Sequence, residues 1–128
     1  MMMKLLWICM AGAIGTGTRY LIGLWADERL GRAIPYGTLL VNVVGCFLIG
    51  LVMQISLRTA SVPPALRLTL TTGFMGGLTT YSSFNYDLGQ YLHSGAYATA
   101  ILYFALTVFL CLIAGSLGVI LAGSLFSN

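Results

Sequence analysis

Four long apolar stretches make up almost the whole chain, and this pattern constrains the fold more than any other feature of the sequence. The stretches run from about 5 to 25, 37 to 57, 65 to 92 and 97 to 126, with short polar connections between them. A helix needs about 20 apolar residues to cross the roughly 30 Å hydrocarbon core of a bilayer. The pattern predicts an all-α integral membrane protein with four transmembrane helices in one domain, residues 1–128.

Charge and cysteine content exclude several other classes of protein. Only 7% of the residues are charged and the mean hydropathy is +0.94, whereas a soluble domain has roughly 25% charged residues. The net charge of +3 comes without a basic cluster, so we expect no nucleic-acid partner. The cysteines Cys9, Cys46 and Cys111 are odd in number and widely spaced, which indicates neither a disulfide framework nor a zinc motif.

The third stretch contains the segment TTGFMGGLTTYSSFNYD, which ends at Asp87 and is rich in glycine and hydroxyl residues. We expect two helical pieces, about 65–75 and 82–92, joined by a non-helical segment at 76–80 in mid-membrane. Irregular backbone is tolerated at membrane depth only where it is buried in protein or lines a wet cavity. The segment therefore predicts a functional site, although a glycine kink that accommodates a crossing helix is the simpler alternative.

An interrupted helix offers two kinds of ion contact. Carbonyl groups released at the end of the first piece can hold a cation, and the N–H groups that begin the second piece can face an anion. Tyr81 and Phe84 lie three residues apart on one helical face, where they either pack or present their positive ring edges to an anion. Asp87 is the only acid within a predicted span, and it is either functional or close to the aqueous end.

Polar residues in the other spans also allow two interpretations. Arg19 either extends to the membrane interface or attracts anions into an aqueous vestibule. Asn42 must find a hydrogen-bond partner in lipid, and an interhelical bond is the simplest one. Five residues of the fourth span recur every four positions and line either a path or a helix seam: Thr99, Tyr103, Thr107, Cys111 and Gly115.

The distribution of basic residues gives almost no preferred orientation. With four spans, one side of the membrane carries Lys4, Arg58 and Arg67, and the other carries Arg29 and Arg32. Orientation follows the excess of basic residues near the span ends. The near balance predicts dual topology and permits an antiparallel homodimer whose two-fold axis lies in the membrane plane.

Three motifs in this order resemble the Fluc (CrcB) family of fluoride ion channels. They are GTGTRY with Arg19, GTLLVNVVG with Asn42, and TTGFMGGLTTYSSF in the third span. The resemblance implies a multi-pass protein of a prokaryotic plasma membrane, not an enzyme, which exports fluoride passively and confers fluoride resistance. It also implies an antiparallel homodimer with two fluoride pores and a structural Na⁺ at the dimer interface, without an organic cofactor.

The resemblance also assigns roles to individual residues. Asn42 is the amide donor of the anion pathway, and Tyr81 and Phe84 are the paired aromatics whose edges meet fluoride. Backbone carbonyls of Gly76 and Thr79 from both subunits hold the sodium, and Arg19 sits at a vestibule. The hydroxyl track consists of Thr38, Ser82, Ser83, Tyr103 and Thr107.

The sequence departs from the family pattern at three of these positions. The segment TYSSF stands where the family has TFSTF, so Tyr81 adds a hydroxyl and bulk to the aromatic pair. Asp87 replaces a glutamate, and Cys111 stands where some members have a hydroxyl. The roles of Asp87 and Cys111 therefore stay open.

Two other classes of membrane protein fit parts of the pattern. A small proton-coupled multidrug exporter of dual topology also has four spans, but it needs an acid embedded in a span, and the first two predicted spans have none. A non-conducting scaffold subunit would explain the small residues at four-residue spacing. It would leave the costly polar groups of the third span unexplained.

Overall fold

The computed structural model describes residues 1–59 and 61–126, and these are helical apart from short connections. The helices are α1 Met2–Leu30, α2 Tyr36–Arg58, α3 Pro64–Leu68, α4 Gly76–Leu78, α5 Tyr81–His93 and α6 Tyr97–Leu125. A π-helical segment, Thr69–Met75, joins α3 to α4. We refer to α3, the π-helical segment, α4 and α5 together as the broken helix.

Three of the helices, α1, α2 and α6, are long and apolar enough to cross a membrane. They contain 29, 23 and 29 residues, and the mean hydropathy over an 18-residue window of each is 1.3, 2.2 and 2.5. At 1.5 Å per residue they measure about 35 to 44 Å, which exceeds the roughly 30 Å of the hydrocarbon core. These three helices confirm the prediction of an all-helical membrane protein.

The broken helix is interrupted at Thr79 and Thr80, which we call the break. Thr79 has φ −86° and ψ 156°, and Thr80 has φ −152° and ψ 118°, so both are extended. The interruption is shorter than the five residues expected from the sequence, because Gly76–Leu78 keep helical geometry. Gly77 serves close packing instead, since a Cβ there would overlap the carbonyl oxygen of Gly12 in α1.

The π-helical segment lies just before the break and contains two threonines that bond back to the preceding turn. Thr69 Oγ1 donates to the Ala65 carbonyl at 2.9 Å, and Thr71 Oγ1 donates to the Arg67 carbonyl at 2.8 Å. Such bonds compete with the regular helical pattern and bend helices, and π-helical turns occur frequently at functional sites. The chain is therefore already irregular before it reaches the break.

Glycines bring the long helices into close contact. A Cβ at Gly118 would overlap the Phe47 carbonyl, and one at Gly50 would overlap the Gly115 carbonyl, so α2 and α6 pack backbone to backbone. Gly15 of α1 meets the Phe74 carbonyl of the broken helix in the same way. Helices associate in lipid in this way, because no hydrophobic effect drives them together there and small residues let their backbones approach closely.

A core cluster lies where α2, α5 and α6 meet. Leu39 of α2, Phe84 of α5 and Tyr103 of α6 form it. Other buried apolar residues, such as Ala26 of α1 and Ala122 of α6, lie outside this cluster. Many large apolar side chains are exposed, especially on α1 and α6.

Candidate functional site

Asn42 of α2 binds the break through both ends of its side-chain amide. The Thr80 N–H donates to Asn42 Oδ1 at 2.8 Å, and Asn42 Nδ2 donates to the Thr80 carbonyl at 3.0 Å. A backbone N–H can only donate and a carbonyl can only accept, so these partners fix the orientation of the amide. The side chain is 8% exposed. Among the described residues the second Nδ2 hydrogen has no acceptor and is available to a ligand.

Hydroxyl groups gather at the N-terminus of α5. Thr80 Oγ1 accepts the Ser83 N–H at 3.1 Å, which is the usual N-cap bond. The same oxygen donates to Ser83 Oγ at 3.1 Å and lies 3.2 Å from Ser82 Oγ. These hydroxyls lie where the helix dipole favours negative charge.

The carbonyl groups on the other side of the break have unusual partners. Arg19 Nε donates to the Gly77 carbonyl at 3.1 Å, so a cation meets the C-terminal end of α4. The Thr80 N–H would be the helical partner of the Gly76 carbonyl, but it bonds to Asn42 instead. Of the hydrogen bonds between described residues, none ends on the carbonyl oxygens of Gly76 and Thr79.

Gly45 allows α2 to approach the break. A Cβ at this position would overlap the Thr79 side-chain methyl carbon Cγ2. Thr79 is itself fixed, because its N–H and its Oγ1 both donate to the Met75 carbonyl at 2.9 Å. The break is therefore held by α2 through the Asn42 hydrogen bonds and through direct packing on Gly45.

A cavity of about 520 Å³, which we call the break cavity, opens beside these residues between α2, the broken helix and α6. Seven of the residues predicted from the sequence line it: Asn42, Gly76, Thr79, Tyr81, Phe84, Thr107 and Cys111. Sequence positions far apart are thus brought together around one space. Its walls are mainly apolar, as is typical of sites that hold a ligand with a few placed polar groups.

A second cavity of about 630 Å³, the polar cavity, runs along α5 near the connection between α1 and α2. Three further hydroxyl residues predicted for the site and the predicted acid line it: Thr38, Ser82, Ser83 and Asp87. Asp27 and Arg32 also line this cavity and form an ion pair at 3.2 Å. Asp87 therefore shares a polar, charged opening with Gln90 and is absent from the lining of the break cavity.

A row of aromatic rings connects the two cavities. Phe84, which lines the break cavity, lies 5.3 Å from Tyr103 between ring centroids. Tyr103 in turn lies 6.2 Å from Tyr91, which lines the polar cavity. On the other side, the ring of Tyr81 is 5.8 Å from Phe84. Tyr81 is 76% exposed, so most of its ring is open to a partner outside the chain.

Two hydroxyls of α6 are buried without a hydrogen-bond partner among the described residues. They are Tyr103 Oη, on a residue that is 0% exposed, and Thr107 Oγ1. Thr38 is a neighbour of Tyr103 but makes no hydrogen bond of good geometry with it. A buried polar group without a hydrogen bond costs about 1–3 kcal/mol. Two such hydroxyls on one helix therefore indicate a ligand path.

Of the residues to which the resemblance assigns a role, Arg19 and Tyr103 line neither cavity. Sequence reasoning also missed Thr80 and Gly45. A threonine three residues before Ser83 is an N-cap signal and could have indicated Thr80. No sequence signal distinguishes Gly45 from the other small residues of α2.

The sequence matches a known family over most of its length. Residues 6–119 match the family described as CrcB-like protein, Camphor Resistance (CrcB). The chain belongs to the CrcB family. This confirms the resemblance read from the three motifs: in this CrcB chain Asn42 bonds to Thr80 at the break, and Arg19 bonds to Gly77 just before it.

Three curated relatives of the CrcB chain are each named fluoride-specific ion channel FluC. The protein of Geobacter metallireducens is 46% identical over 121 residues, which cover 94% of this chain and 98% of that protein. The protein of Geotalea uraniireducens is 46% identical over 124 residues, 97% of this chain and 100% of that protein. The protein of an Anaeromyxobacter species is 50% identical over 113 residues, 88% of this chain and 90% of that protein.

Proposed function

We propose that this CrcB protein is a fluoride channel that exports the ion passively and confers fluoride resistance. The observation that carries the proposal is the Asn42 amide, fixed against Thr80 on the wall of the break cavity with one N–H hydrogen unused. The name borne by relatives at 41% to 50% identity supports the same function.

The pathway begins in the polar cavity and passes the hydroxyls at the N-terminus of α5. It continues beside the edges of Phe84 and Tyr103 into the break cavity, where Asn42 and Thr107 offer further donors. A small, strongly hydrated anion needs successive donors that replace its water, each weak enough to release it. Neutral amide, hydroxyl and ring-edge groups meet both requirements, whereas a buried lysine or arginine would hold the ion.

The membrane potential drives the export. One elementary charge gains about 2.3 kcal/mol per 100 mV, and with a negative interior an anion moves outward. In acid surroundings fluoride forms HF outside the cell, and HF crosses the bilayer and ionises inside. A passive channel in the plasma membrane of a prokaryote is therefore sufficient to keep internal fluoride low.

The broken helix is proposed as the third of four spans, and the working unit as an antiparallel homodimer. Two observations support the dimer: the ring of Tyr81 is 76% exposed, and the break cavity opens on the surface of the chain. A second copy related by a two-fold axis would cover both. The near balance of basic residues, with Lys4, Arg58 and Arg67 against Arg29 and Arg32, fits dual topology.

The carbonyl groups of Gly76 and Thr79 fit a structural Na⁺ at the dimer interface. Hard cations take oxygen ligands, and these two oxygens accept no hydrogen bond from the described residues. Two carbonyls from each subunit would give four ligands on the two-fold axis. The ion would supply a fixed positive charge there, while Asn42 holds the break open by withdrawing the Thr80 N–H from Gly76.

We retain a vestibule role for Arg19 as a proposal, since its Nη groups make no hydrogen bond among the described residues while Nε holds the Gly77 carbonyl. The competing drug-exporter function is disfavoured by the break cavity, whose lining contains no aspartate or glutamate. A cation exporter needs an embedded acid for exchange.

The test is ion efflux from liposomes that contain the purified protein. Vesicles loaded with potassium fluoride or potassium chloride receive a potassium ionophore, and an ion electrode records the released anion. Fast fluoride release with chloride retained supports the proposal. If the vesicles hold both anions as tightly as protein-free vesicles, the non-conducting scaffold subunit is the remaining interpretation. Equal release of both anions would exclude selective conduction.

A further inference from the structure

Two cysteine side chains meet on the wall of the break cavity. Cys46 of α2 and Cys111 of α6 both line it, and both also line an adjoining cavity of about 500 Å³ that continues between α2 and α6. The two thiols therefore lie at the junction of these spaces. Neither thiol takes part in the hydrogen bonds that hold the break.

The packing of α2 on α6 brings these thiols together. The Cys46 carbonyl oxygen lies 3.5 Å from the Cβ position of Gly115, one helical turn beyond Cys111. Both side chains line the same two cavities, so the two residues border one shared space. Both residues are partly buried, whereas Cys9 of α1 is exposed and lines neither cavity.

Sulfur atoms suit a different ligand from the hydroxyls that line the rest of the pathway. A thiol is a weak hydrogen-bond donor and contributes little to holding a fluoride ion. Thiolate and thioether ligands instead select soft cations such as copper(I). Met75, which is buried, adds a thioether to the lining of the same cavity.

We propose that Cys46 and Cys111 form a two-sulfur binding site for a soft monovalent cation of the copper(I) class, within the break cavity. On binding, each Sγ–H releases its proton to solvent and two sulfur–metal bonds form. The cation then bridges two thiolates, and the complex carries one net negative charge. A fixed negative charge beside Asn42 and Thr107 repels an entering anion, so the bound metal closes the pathway.

Binding at this site is independent of the proposed fluoride function, and only the closure rests on it. The probe is Ag⁺, which shares the preference for sulfur and undergoes no redox change under these conditions. Chloride-free buffers prevent precipitation. The intact protein is used throughout, with Cys9→Ser as the background because its thiol is remote from both cavities.

The first readout is metal binding. The Cys9→Ser protein should retain about one Ag⁺ per chain after desalting, and adding Cys46→Ser or Cys111→Ser should weaken binding at least tenfold. In the unmodified protein, Ag⁺ should protect Cys46 and Cys111 from a maleimide while Cys9 still reacts, as mass spectrometry of peptides would record. Retention of Ag⁺ in both serine variants, or the absence of protection, would overturn the site.

The second readout is fluoride efflux. Stoichiometric Ag⁺ should lower efflux by Cys9→Ser at least tenfold, and excess dithiothreitol should restore it. The variants that add Cys46→Ser or Cys111→Ser to Cys9→Ser should each release fluoride at the same rate with and without Ag⁺. If the protein binds Ag⁺ as expected but conducts no fluoride in the absence of Ag⁺, the proposed fluoride function is wrong and the two-sulfur site is still supported. If Ag⁺ binds and efflux continues unchanged, closure of the pathway is wrong.

Discussion

The Asn42 side chain of α2 pairs with the backbone of Thr80 as a neighbouring strand would, accepting its N–H at 2.8 Å and donating to its carbonyl at 3.0 Å. This pair satisfies both polar groups of an extended residue inside an otherwise helical span. It also removes the Thr80 N–H from the Gly76 carbonyl, one turn earlier. A single amide thus keeps the break open and lines the cavity beside it.

Asn42→Asp is expected to abolish most fluoride conduction. The carboxylate still accepts the Thr80 N–H but cannot donate to the Thr80 carbonyl, and it places a negative charge on the cavity wall. Two like charges about 5–6 Å apart repel by about 3 kcal/mol at an effective dielectric constant of 20. This predicts a decrease in efflux of about 100-fold, measured in the liposome assay.

Gln54→Glu is the matched control for this substitution. It makes the same chemical change on α2, but Gln54 lines neither the break cavity nor the polar cavity. Its fluoride efflux should stay within about twofold of the unmodified protein, since no charge enters the pathway. Normal conduction by a folded Asn42→Asp protein would show that Asn42 lies outside the path.

The sequence predicted the components of the site better than their arrangement. Asn42, Tyr81, Phe84 and Thr107 were each identified, and the structure brings all of them to one cavity. The polar groups of Asn42 and Thr107 require an explanation in hydrocarbon, whereas the roles of Tyr81 and Phe84 came from the family resemblance. Residues that act through shape, such as Gly45, carry no such signal.

The break shows why the rest could not be read from the sequence. Gly76 and Gly77 indicate flexibility in a linear sequence, yet both are helical. Position 77 requires a glycine for a different reason, which is the close approach of Gly12. The actual break falls on two threonines, whose extended backbone is stabilised by Asn42, 38 residues earlier in the chain. A contact over that separation depends on how α2 packs.

Gly45→Ala is expected to destabilise the fold by about 1–3 kcal/mol, the usual range for overpacking. The added methyl would overlap the Thr79 methyl carbon. Thermal unfolding in detergent measures the loss. Gly17→Ala is the control, because a Cβ there meets nothing within 4 Å, and alanine should be neutral or stabilising by about 1 kcal/mol in a helix.

Thr79→Ser tests whether the Gly45 contact is direct. Serine keeps the hydroxyl that donates to Met75 but lacks the methyl that the new alanine would meet. The double variant Gly45→Ala with Thr79→Ser should recover at least half of the lost stability, giving a coupling energy of about 0.5–3 kcal/mol. Additive losses would mean that Gly45 is needed for another reason.

Tyr103→Phe should separate stability from conduction. Because Tyr103 Oη is buried and unpaired, its removal should leave the free energy of unfolding unchanged or raise it by about 1 kcal/mol. Fluoride efflux should nevertheless decrease, since the pathway loses a donor between the two cavities. Tyr97→Phe, at an exposed position of the same helix, should change neither property, and a purely structural Tyr103 would show no change in efflux.

The proposed sodium site can be tested only by changing the ion, because its ligands are the backbone carbonyls of Gly76 and Thr79. Replacing all Na⁺ by N-methylglucamine should lower the unfolding temperature of the dimer, since an ion that binds only the folded state stabilises it in proportion to the logarithm of its concentration. Efflux should decrease in parallel, and Na⁺ should restore both at concentrations where choline, at equal ionic strength, does not.

The carbonyls are free because Asn42 withdraws the Thr80 N–H from Gly76, so Asn42→Asp, which keeps that acceptor, should retain the sodium-dependent stability while losing conduction. An unfolding temperature that is the same in Na⁺, choline and N-methylglucamine would exclude a sodium ion at the break.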